Sequence, residues 1–282
     1  MNGKKLIIIS SAAIIFIVIF ALILFNKKPE REISNKAVSD NIEAGNTENI
    51  NFKTDDSESS NSDNYTTDDT EEIAPDESDY VNNNALKELN PIIKQMGMAN
   101  ILVDPRIELL SSVMVQLNYP HLTKFNFDYK DDIIKYSKDN TIHKATLIFE
   151  KLYKRGFSYD APPTSMLYLS NPPHLAQKMD FSQYIIDRAS GINNLNNFVD
   201  SLRSFYIDNN FEEFFIKNAS FYEEMVDRVY NNIKDLNIVE VFDEYYGMDV
   251  NSYNIVLAPM FHNGGYGPQI ENSNGLYDLY AI

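Results

Sequence analysis

An uninterrupted apolar stretch near the amino terminus constrains this chain more than any other feature. The residues from Leu6 to Phe25 read LIIISSAAIIFIVIFALILF and carry no charge. About 20 apolar residues are enough for a helix to cross the hydrocarbon core of a bilayer. The stretch therefore predicts a transmembrane helix within residues 1–28, with the lipid bilayer as its partner.

A cleaved signal peptide is the alternative interpretation of this stretch. The apolar core of a signal peptide is usually about 7 to 15 residues long and ends at a cleavage site of small residues. Here the run continues into Phe25, Asn26, Lys27 and Lys28 without such a site, and the chain has no cysteine for a lipid anchor. We therefore favour an uncleaved signal anchor in the cell membrane. Lysines flank the stretch on both sides, but so short an amino-terminal tail usually stays inside, which leaves the folded part outside the cell.

A strongly acidic segment follows the apolar stretch. Between Ala37 and Tyr80 there are fourteen acidic residues and one lysine, so this segment carries most of the formal net charge of −17. Its Ser, Asn, Thr and Asp residues show no apolar periodicity and cannot bury enough surface to offset the loss of chain entropy. Residues 29–84 are therefore predicted to form a disordered stalk. A calcium site is the alternative, but the segment lacks the spaced ligands, the glycine and the terminal glutamate of an EF-hand loop.

Residues 85–282 contain aromatic and aliphatic residues at helical spacing, which predicts one folded domain. The short apolar run NILV predicts a strand that leads into a helix, because Asp104 and Pro105 after it have the pattern of a helix start. Gly156 marks the end of a second helix. We assign the apolar stripes of these helices to the core. The stripes are Ile107, Leu110, Met114 and Leu117; Ile142, Ala145, Phe149, Leu152 and Tyr153; Leu195, Phe198, Val199, Leu202, Phe205 and Tyr206; and Phe221, Tyr222, Met225, Val226, Val229, Tyr230 and Ile233, with a Phe211, Phe214 and Phe215 turn between the last two.

The residue pattern of the sequence changes after Gly247. The runs YNIVLAPMF and GLYDLYAI favour β-strands, and a connection rich in Gly, Pro and Asn separates them. In the second run Tyr277, Leu279 and Ala281 alternate with residues of the opposite face. The predicted fold class is therefore α+β, a mostly helical domain with a small β-sheet near its carboxyl terminus.

Residues that commonly bind metals or carry catalysis form no recognisable motif. The four histidines are His121, His143, His174 and His262. None belongs to a His-Glu-x-x-His zinc sequence, so we interpret each of them as a surface or packing residue. The sequence also has no G-x-S-x-G elbow and no glycine-rich phosphate loop. No catalytic residue and no metal ligand is therefore predicted. Nucleic acid is not an expected partner, because the folded part has no cluster of Lys and Arg.

Two groups of acidic residues need a separate interpretation. Asp104 and Glu108 are four residues apart at a helix start and have the spacing of a carboxylate pair. Capping and the helix dipole account for Asp104 without catalysis, and we prefer that interpretation. Glu240, Asp243 and Glu244, in the sequence EVFDEYYG, are interpreted as a solvated helix face.

Four blocks of the folded part resemble a known family. They read VDPRIELLSSVMVQL, HKATLIFEKLYKRGFSYDAPPTSMLYLS, FVDSLRSFYIDNNFEEFFIKNASFYEEMVDRVY and YNIVLAPMFHNGGYGPQI. Together they resemble domain-of-unknown-function family 4932, a family of exported bacterial proteins, from about Ile101 to Ile282. The resemblance implies a zinc-peptidase-like protein of the bacterial cell surface. It also implies that a helix with His-Glu-x-x-His follows the strand LYDLYAI, with two histidines as zinc ligands and the glutamate as general base.

This chain ends at Ile282, before such a helix. Zinc is therefore implied only for family members with the complete motif, and we expect no cofactor in this chain. The resemblance does imply one wall of a substrate cleft for a peptide or protein. Asn263, Gly264, Gly265 and Tyr266 would lie in its loop, where glycines let two backbones approach each other. An ordinary hairpin-like connection is the alternative for this loop.

Two functions are consistent with these observations. The first is a truncated, membrane-anchored surface protein that resembles a zinc metallopeptidase and is inactive as this chain. The second is a non-catalytic binding or structural module displayed on an acidic stalk.

Overall fold

The computed structural model describes residues 87–122, 124–136, 142–261 and 265–282. The predicted transmembrane helix in residues 1–28 and the predicted acidic stalk in residues 29–84 lie outside these ranges. Within the described ranges no helix is long and apolar enough to cross a bilayer. These residues form a helical domain with one small mixed sheet, so the predicted α+β class is confirmed.

The strands are β1 (Ile92–Met96), β2 (Ala99–Val103), β3 (Val250–Val256), β4 (Gln269–Glu271) and β5 (Tyr277–Ala281). They form a five-stranded sheet in the order β1-β2-β3-β5-β4. β2, β3 and β5 run parallel to one another, whereas β1 is antiparallel to β2 and β4 is antiparallel to β5. The two outer strands therefore run against the three central ones.

The runs YNIVLAPMF and GLYDLYAI form β3 and β5, as predicted. The predicted strand NILV forms part of β2. Because β2 and β1 join this sheet from the other end of the domain, the sheet is larger than the carboxyl-terminal one that the sequence predicts. Gly97 makes the tight turn between β1 and β2 with a φ of 59°, a value that glycine adopts at little cost. β5 lies inside the sheet, between β3 and β4.

The helices occupy the connection between β2 and β3. They are α1 (Pro105–Gln116), α2 (Asp128–Tyr136), α3 (Lys144–Lys154), α4 (Ala161–Leu167), α5 (Gln183–Arg188), α6 (Ile192–Asp208), α7 (Phe211–Lys217), α8 (Ala219–Ile233) and α9 (Ile238–Tyr246). α3 packs against α6, and α8 packs against β1 and β2. The Phe242 ring of α9 lies 4.9 Å from the Tyr253 ring of β3.

The predicted helix ends are largely confirmed. The Asp104 side chain accepts the backbone N–H of Arg106 at 2.9 Å, with Pro105 at the first position of α1. Gly156 follows the last residues of α3 and has a φ of 110°. Ile142 is the exception, because α3 begins after it and its side chain is exposed.

The predicted aromatic stripes supply much of the core. All six stripe residues of α6 and the three phenylalanines of α7 are buried. In α8 only Tyr222, Val226 and Ile233 are buried, and the remaining stripe residues are partly exposed. The three acidic residues assigned to a solvated face do lie exposed on α9, where Asp243 also accepts a hydrogen bond from the Tyr253 hydroxyl at 2.7 Å.

Candidate functional site

The three parallel strands end on the same side of the sheet. β2 ends at Val103, β3 at Val256 and β5 at Ala281, and the Leu257 N–H continues the pairing with a 2.8 Å hydrogen bond to the Leu102 carbonyl. Ligands of α/β proteins commonly bind outside the carboxyl ends of parallel strands. The loop predicted to line a cleft follows β3 at this edge.

The structure describes half of that predicted loop. Asn263 and Gly264, like His262, lie outside the described residues. Tyr266 exchanges two backbone hydrogen bonds with Ile282, each 2.9 Å long, and the Pro268 carbonyl accepts the Tyr280 N–H at 2.9 Å. Residues 265–271, which we call the edge segment, therefore run antiparallel to β5 and extend β4 toward the carboxyl ends of the parallel strands.

The edge segment directs part of its backbone away from the sheet. Tyr266, Pro268 and Ile270 face β5 with their hydrogen-bonding groups, since they pair with Ile282, Tyr280 and Asp278. In an antiparallel ladder the residues between such pairs point their N–H and C=O groups the other way. These residues are Gly267, Gln269 and Glu271. Within the described residues no strand pairs with β4 on its outer side, and Gly267 and Glu271 are exposed.

The Tyr266 side chain joins the edge segment to a cluster of rings. It meets the Phe261 ring edge-on at 6.2 Å, and Phe261 is bridged to Leu122. Burial raises the pKa of the Tyr266 hydroxyl, and the neighbouring Tyr119, Asp160 and Tyr159 groups raise it further. These groups come from distant parts of the sequence, and no spacing in the sequence relates them to the loop.

Tyr119, His121 and Tyr159 pack against one another beside the edge segment. The His121 ring lies 5.1 Å from the Tyr119 ring and 4.4 Å from the Tyr159 ring. The Tyr119 hydroxyl accepts the backbone N–H of Tyr159 at 3.2 Å. Tyr119 also lines a cavity of about 300 Å³ together with Lys124 and Lys130. The sequence interpretation treats His121 as a surface or packing residue, and it does pack within this cluster.

Tyr159 and the next residue, Asp160, lie where the cluster meets solvent. Tyr159 is 52% exposed and has a φ of 59°, a left-handed conformation that is rare for residues other than glycine. Both carboxylate oxygens of Asp160 accept the Tyr184 hydroxyl, at 3.0 and 3.1 Å. Tyr184 is also exposed. One exposed tyrosine therefore bonds to this carboxylate, and a second precedes it in the chain.

A buried ion pair fixes the start of α1 at the same edge. The Arg106 guanidinium donates to Asp104 at 2.6 Å and to the Leu169 carbonyl at 2.9 Å. Burial disfavours the charged guanidinium, but Asp104 and the nearby Tyr280 leave the pKa of Arg106 raised. Asp104 thus serves as an ion-pair partner and as the predicted helix cap. The role of Arg106 was not predicted, because a single arginine in VDPRIELL has no distinguishing pattern.

Glu108, the other member of the predicted carboxylate pair, lies in the core. Its carboxyl group accepts a short hydrogen bond from the Tyr129 hydroxyl, whose oxygen is 2.8 Å from the Tyr222 hydroxyl. The second oxygen, Oε1, is buried without a hydrogen-bond partner. Burial, together with the nearby Asp104, raises the pKa of Glu108 to about 8, although the Tyr129 hydrogen bond opposes the shift. Every residue of α1 from Pro105 to Met114 is buried, Glu108 included. In the sequence, the only signal for this site is a glutamate within that helical stretch.

Another histidine has a structural role. The Nδ1 atom of His143 accepts the Ala145 N–H at 3.0 Å and caps α3, while Nε2 lies 2.9 Å from Asp208. The described ranges of the chain contain no group of three or more histidine or acidic side chains that could bind a metal ion.

Comparison with known proteins assigns the folded part to a family. The profile described as "Domain of unknown function (DUF4932)" matches residues 99–282, more than half of the chain. No curated protein and no solved structure shows a significant match. The chain therefore belongs to the family of the domain of unknown function DUF4932.

Proposed function

We propose that this domain binds an extended segment of a peptide or protein by adding it as a further strand to the edge segment. The observation that carries the proposal is the outward direction of the N–H and C=O groups of Gly267, Gln269 and Glu271, on a sheet edge with which no other described strand pairs. Strand addition of this kind derives affinity from main-chain hydrogen bonds. Gly265 and Gly267 favour it, because they place no side chain between the two backbones.

The position of the edge segment supports this choice over the other edge of the sheet. The loop that leads into the edge segment follows the carboxyl end of β3. The Tyr266 ring contacts Phe261, which is bridged to Leu122 beside the cluster of Tyr119, His121 and Tyr159. Main-chain bonds would supply affinity there, and side chains of the cluster would select the sequence of the bound segment. The resemblance of the sequence to zinc-peptidase-like proteins favours peptides as the ligand class.

Our proposal is that the chain binds such segments without cleaving them. Zinc peptidases hydrolyse a peptide bond with a metal-bound water and a general base. Their common zinc motif places two histidines one helical turn apart with the glutamate between them, and none of the four histidines here has that spacing. A protein that resembles a peptidase but only binds peptides would combine the two functions that the sequence leaves open.

We further propose that the domain is displayed outside the cell on the acidic segment, anchored through Leu6 to Phe25. The uncharged length of that stretch supports an anchor, and the charge of the segment after it favours an extended spacer. Membrane fractionation of cells that produce the full chain tests the anchor. Recovery in the membrane pellet after alkaline carbonate is expected, whereas release into the soluble fraction contradicts it.

Binding is tested with the full-length chain in detergent micelles and an array of synthetic peptides. The decisive pair of variants is Gln269→Pro and Gln269→Ala. Proline removes the outward N–H without breaking a bond to β5, while alanine keeps that N–H and removes only the side chain. Gln269→Pro is expected to weaken binding at least about fivefold, the equivalent of one backbone hydrogen bond, and Gln269→Ala to leave it nearly unchanged. Equal effects of the two variants would count against strand addition.

Cleavage is tested on the peptides that bind. Each is incubated with the full-length chain in the presence of zinc and, in parallel, of a chelator, and the products are analysed by mass spectrometry. We expect intact peptide in both reactions, with a commercial zinc peptidase as positive control. Chelator-sensitive cleavage by the chain would overturn the non-catalytic part of the proposal and leave the binding part in place.

A further inference from the structure

We propose that Tyr159, Asp160 and Tyr184 form a subsite that binds a basic side chain, lysine or arginine, of the segment held by the edge segment. This inference rests on the proposed peptide binding and names the class of sequence that is bound. Three observations support it. They are the backbone conformation of Tyr159, the lack of an ion pair between Asp160 and any described residue, and the position of both residues near Tyr266.

Tyr159 is held in a costly conformation at the surface. Its φ of 59° is left-handed, and a residue with a Cβ atom adopts this region only at an energetic cost. The Tyr119 hydroxyl bonds to its N–H, and the His121 ring lies 4.4 Å from its ring at an angle of 39°. Despite these contacts the side chain is 52% exposed. Backbone outliers that the surroundings hold in place are concentrated at binding and catalytic sites.

Asp160 carries a charge that the described part of the chain does not neutralise. It is at the N-cap position of α4, but its side chain accepts no hydrogen bond from the backbone of that helix. Tyr184 donates the single hydrogen bond that its two oxygens share, and no Lys, Arg or His of the described residues forms an ion pair with it. The Arg188 guanidinium lies over one face of the Tyr184 ring, 5.8 Å from the ring centre. It donates hydrogen bonds to the Ser158 carbonyl at 2.8 Å and to the Ser158 hydroxyl at 3.1 Å, and it forms no ion pair with Asp160.

A carboxylate that is bonded to one exposed tyrosine and adjacent in the chain to another has the chemistry of a cation site. Ammonium and guanidinium groups bind carboxylates through charge-assisted hydrogen bonds, and they are attracted to the faces of tyrosine rings. Residues 85–282 contain 25 acidic residues against 17 Lys and Arg residues, and this excess favours a basic ligand over an acidic one. Neutral side chains would gain only the contact with the rings.

Tyr266 links this subsite to the edge segment. Its ring meets the Phe261 ring at 6.2 Å, and its backbone pairs with Ile282. Phe261 is bridged to Leu122, which follows His121 in the chain, and the His121 ring packs on the Tyr159 ring at 4.4 Å. Side chains of an added strand alternate between the two faces of the sheet. A residue of that strand near Tyr266, on the face that carries the Tyr266 ring, would therefore point its side chain toward Asp160. Only one position of the bound segment is expected to prefer lysine or arginine.

The test uses the full-length chain and one peptide that binds in the array. Each position of this peptide is replaced in turn by lysine, arginine, norleucine or glutamate, and dissociation constants are measured by fluorescence anisotropy. At one position lysine and arginine are expected to bind about tenfold more tightly than glutamate. Norleucine, which matches the length of lysine without its charge, is expected to fall between them.

Variants of Asp160 assign that preference to the subsite. Asp160→Asn is expected to reduce the preference at least about threefold, Asp160→Glu to keep it, and Asp160→Lys to reverse it in favour of glutamate. Asp235→Asn, a control on the exposed surface that changes the charge equally, should leave it intact. Peptide binding without a position that prefers basic residues overturns this inference but not strand addition. The absence of any bound peptide overturns both.

Discussion

The Tyr129 hydroxyl donates a hydrogen bond to the Glu108 carboxyl group in the centre of the domain, where neither group reaches solvent. Tyr222 from α8 completes the group through its contact with the Tyr129 hydroxyl at 2.8 Å. The three side chains come from α1, α2 and α8, so one polar site links three helices. Its acidic member has a pKa of about 8, above the ordinary value of 4.5, chiefly because it is buried.

The first prediction is that stability decreases as the pH rises. The folded state keeps a proton on Glu108 up to a pH of about 8, whereas the unfolded chain releases it near 4.5. Between these pH values the folded state binds one more proton than the unfolded state. The contribution of Glu108 to the unfolding free energy therefore falls by about 1.4 kcal/mol for each pH unit. Urea unfolding between pH 5 and 8 measures this slope.

The Glu108→Gln variant isolates that contribution. Glutamine is neutral throughout this range and keeps an oxygen that can accept the Tyr129 hydrogen bond. The variant should therefore lose the slope assigned to Glu108 and should gain most relative to the wild type at pH 8. An identical slope in the two proteins would mean that Glu108 titrates near its ordinary pKa in the fold.

A second prediction concerns the buried pair Asp104 and Arg106. Arg106→Met leaves the Asp104 carboxylate buried without its partner, and we expect it to cost about 3–5 kcal/mol of unfolding free energy. The double variant with Asp104→Asn removes the unpaired charge and keeps an N-cap side chain, so it should be more stable than Arg106→Met alone. Thermal and urea unfolding of the four proteins complete the cycle, and strictly additive effects would argue against a direct coupling.

The strained backbone at Tyr159 leads to a third prediction. Tyr159→Ala and Tyr159→Gly both remove the ring, but only glycine adopts a φ of 59° without steric cost. The glycine variant is therefore expected to be more stable than the alanine variant by about 1 kcal/mol. Urea unfolding at one pH compares them. An alanine variant as stable as the glycine variant would show that the backbone relaxes when the ring is removed.

The cap at the start of α3 gives a fourth prediction. His143→Ala removes the acceptor for the Ala145 N–H and should lower the unfolding free energy by about 1 kcal/mol. His143→Asn supplies another side-chain acceptor, so it should recover most of this loss. Failure of asparagine to do so would assign the effect to the other His143 contacts, which are the Phe205 ring at 5.1 Å and the Asp208 carboxylate at 2.9 Å.

The helices that the sequence predicts best are those whose apolar residues recur on one face. All the stripe residues of α6 are buried, because the helix packs that face against α3. α2 is harder to predict, since only Tyr129 and Ile133 of its nine residues are buried. The strand order is also hidden from the sequence, because it depends on which distant segments meet.

The candidate site was predictable only in part. The glycine-rich loop is visible in the sequence, and its described residues Gly265 and Tyr266 do belong to the edge segment. The side chains around Tyr266 are not predictable in this way, since Tyr119, Tyr159 and Asp160 lie a hundred or more residues earlier in the chain. The fold brings them together through burial of the rings, which leaves no periodic pattern across such a separation.

The parallel pairing of β2 with β3 also has a consequence for how the domain folds. Asn100 and Asn254 are hydrogen-bonded across these strands, although 154 residues separate them in the chain. Closing so long a loop costs entropy before the new contacts can offset it, and high contact order slows folding. We therefore expect the central pairing of the sheet to form after the helical connection has collapsed. During synthesis, β1 and β2 can pair with each other as soon as they emerge, but β2 has to wait for all the described helices before it can pair with β3.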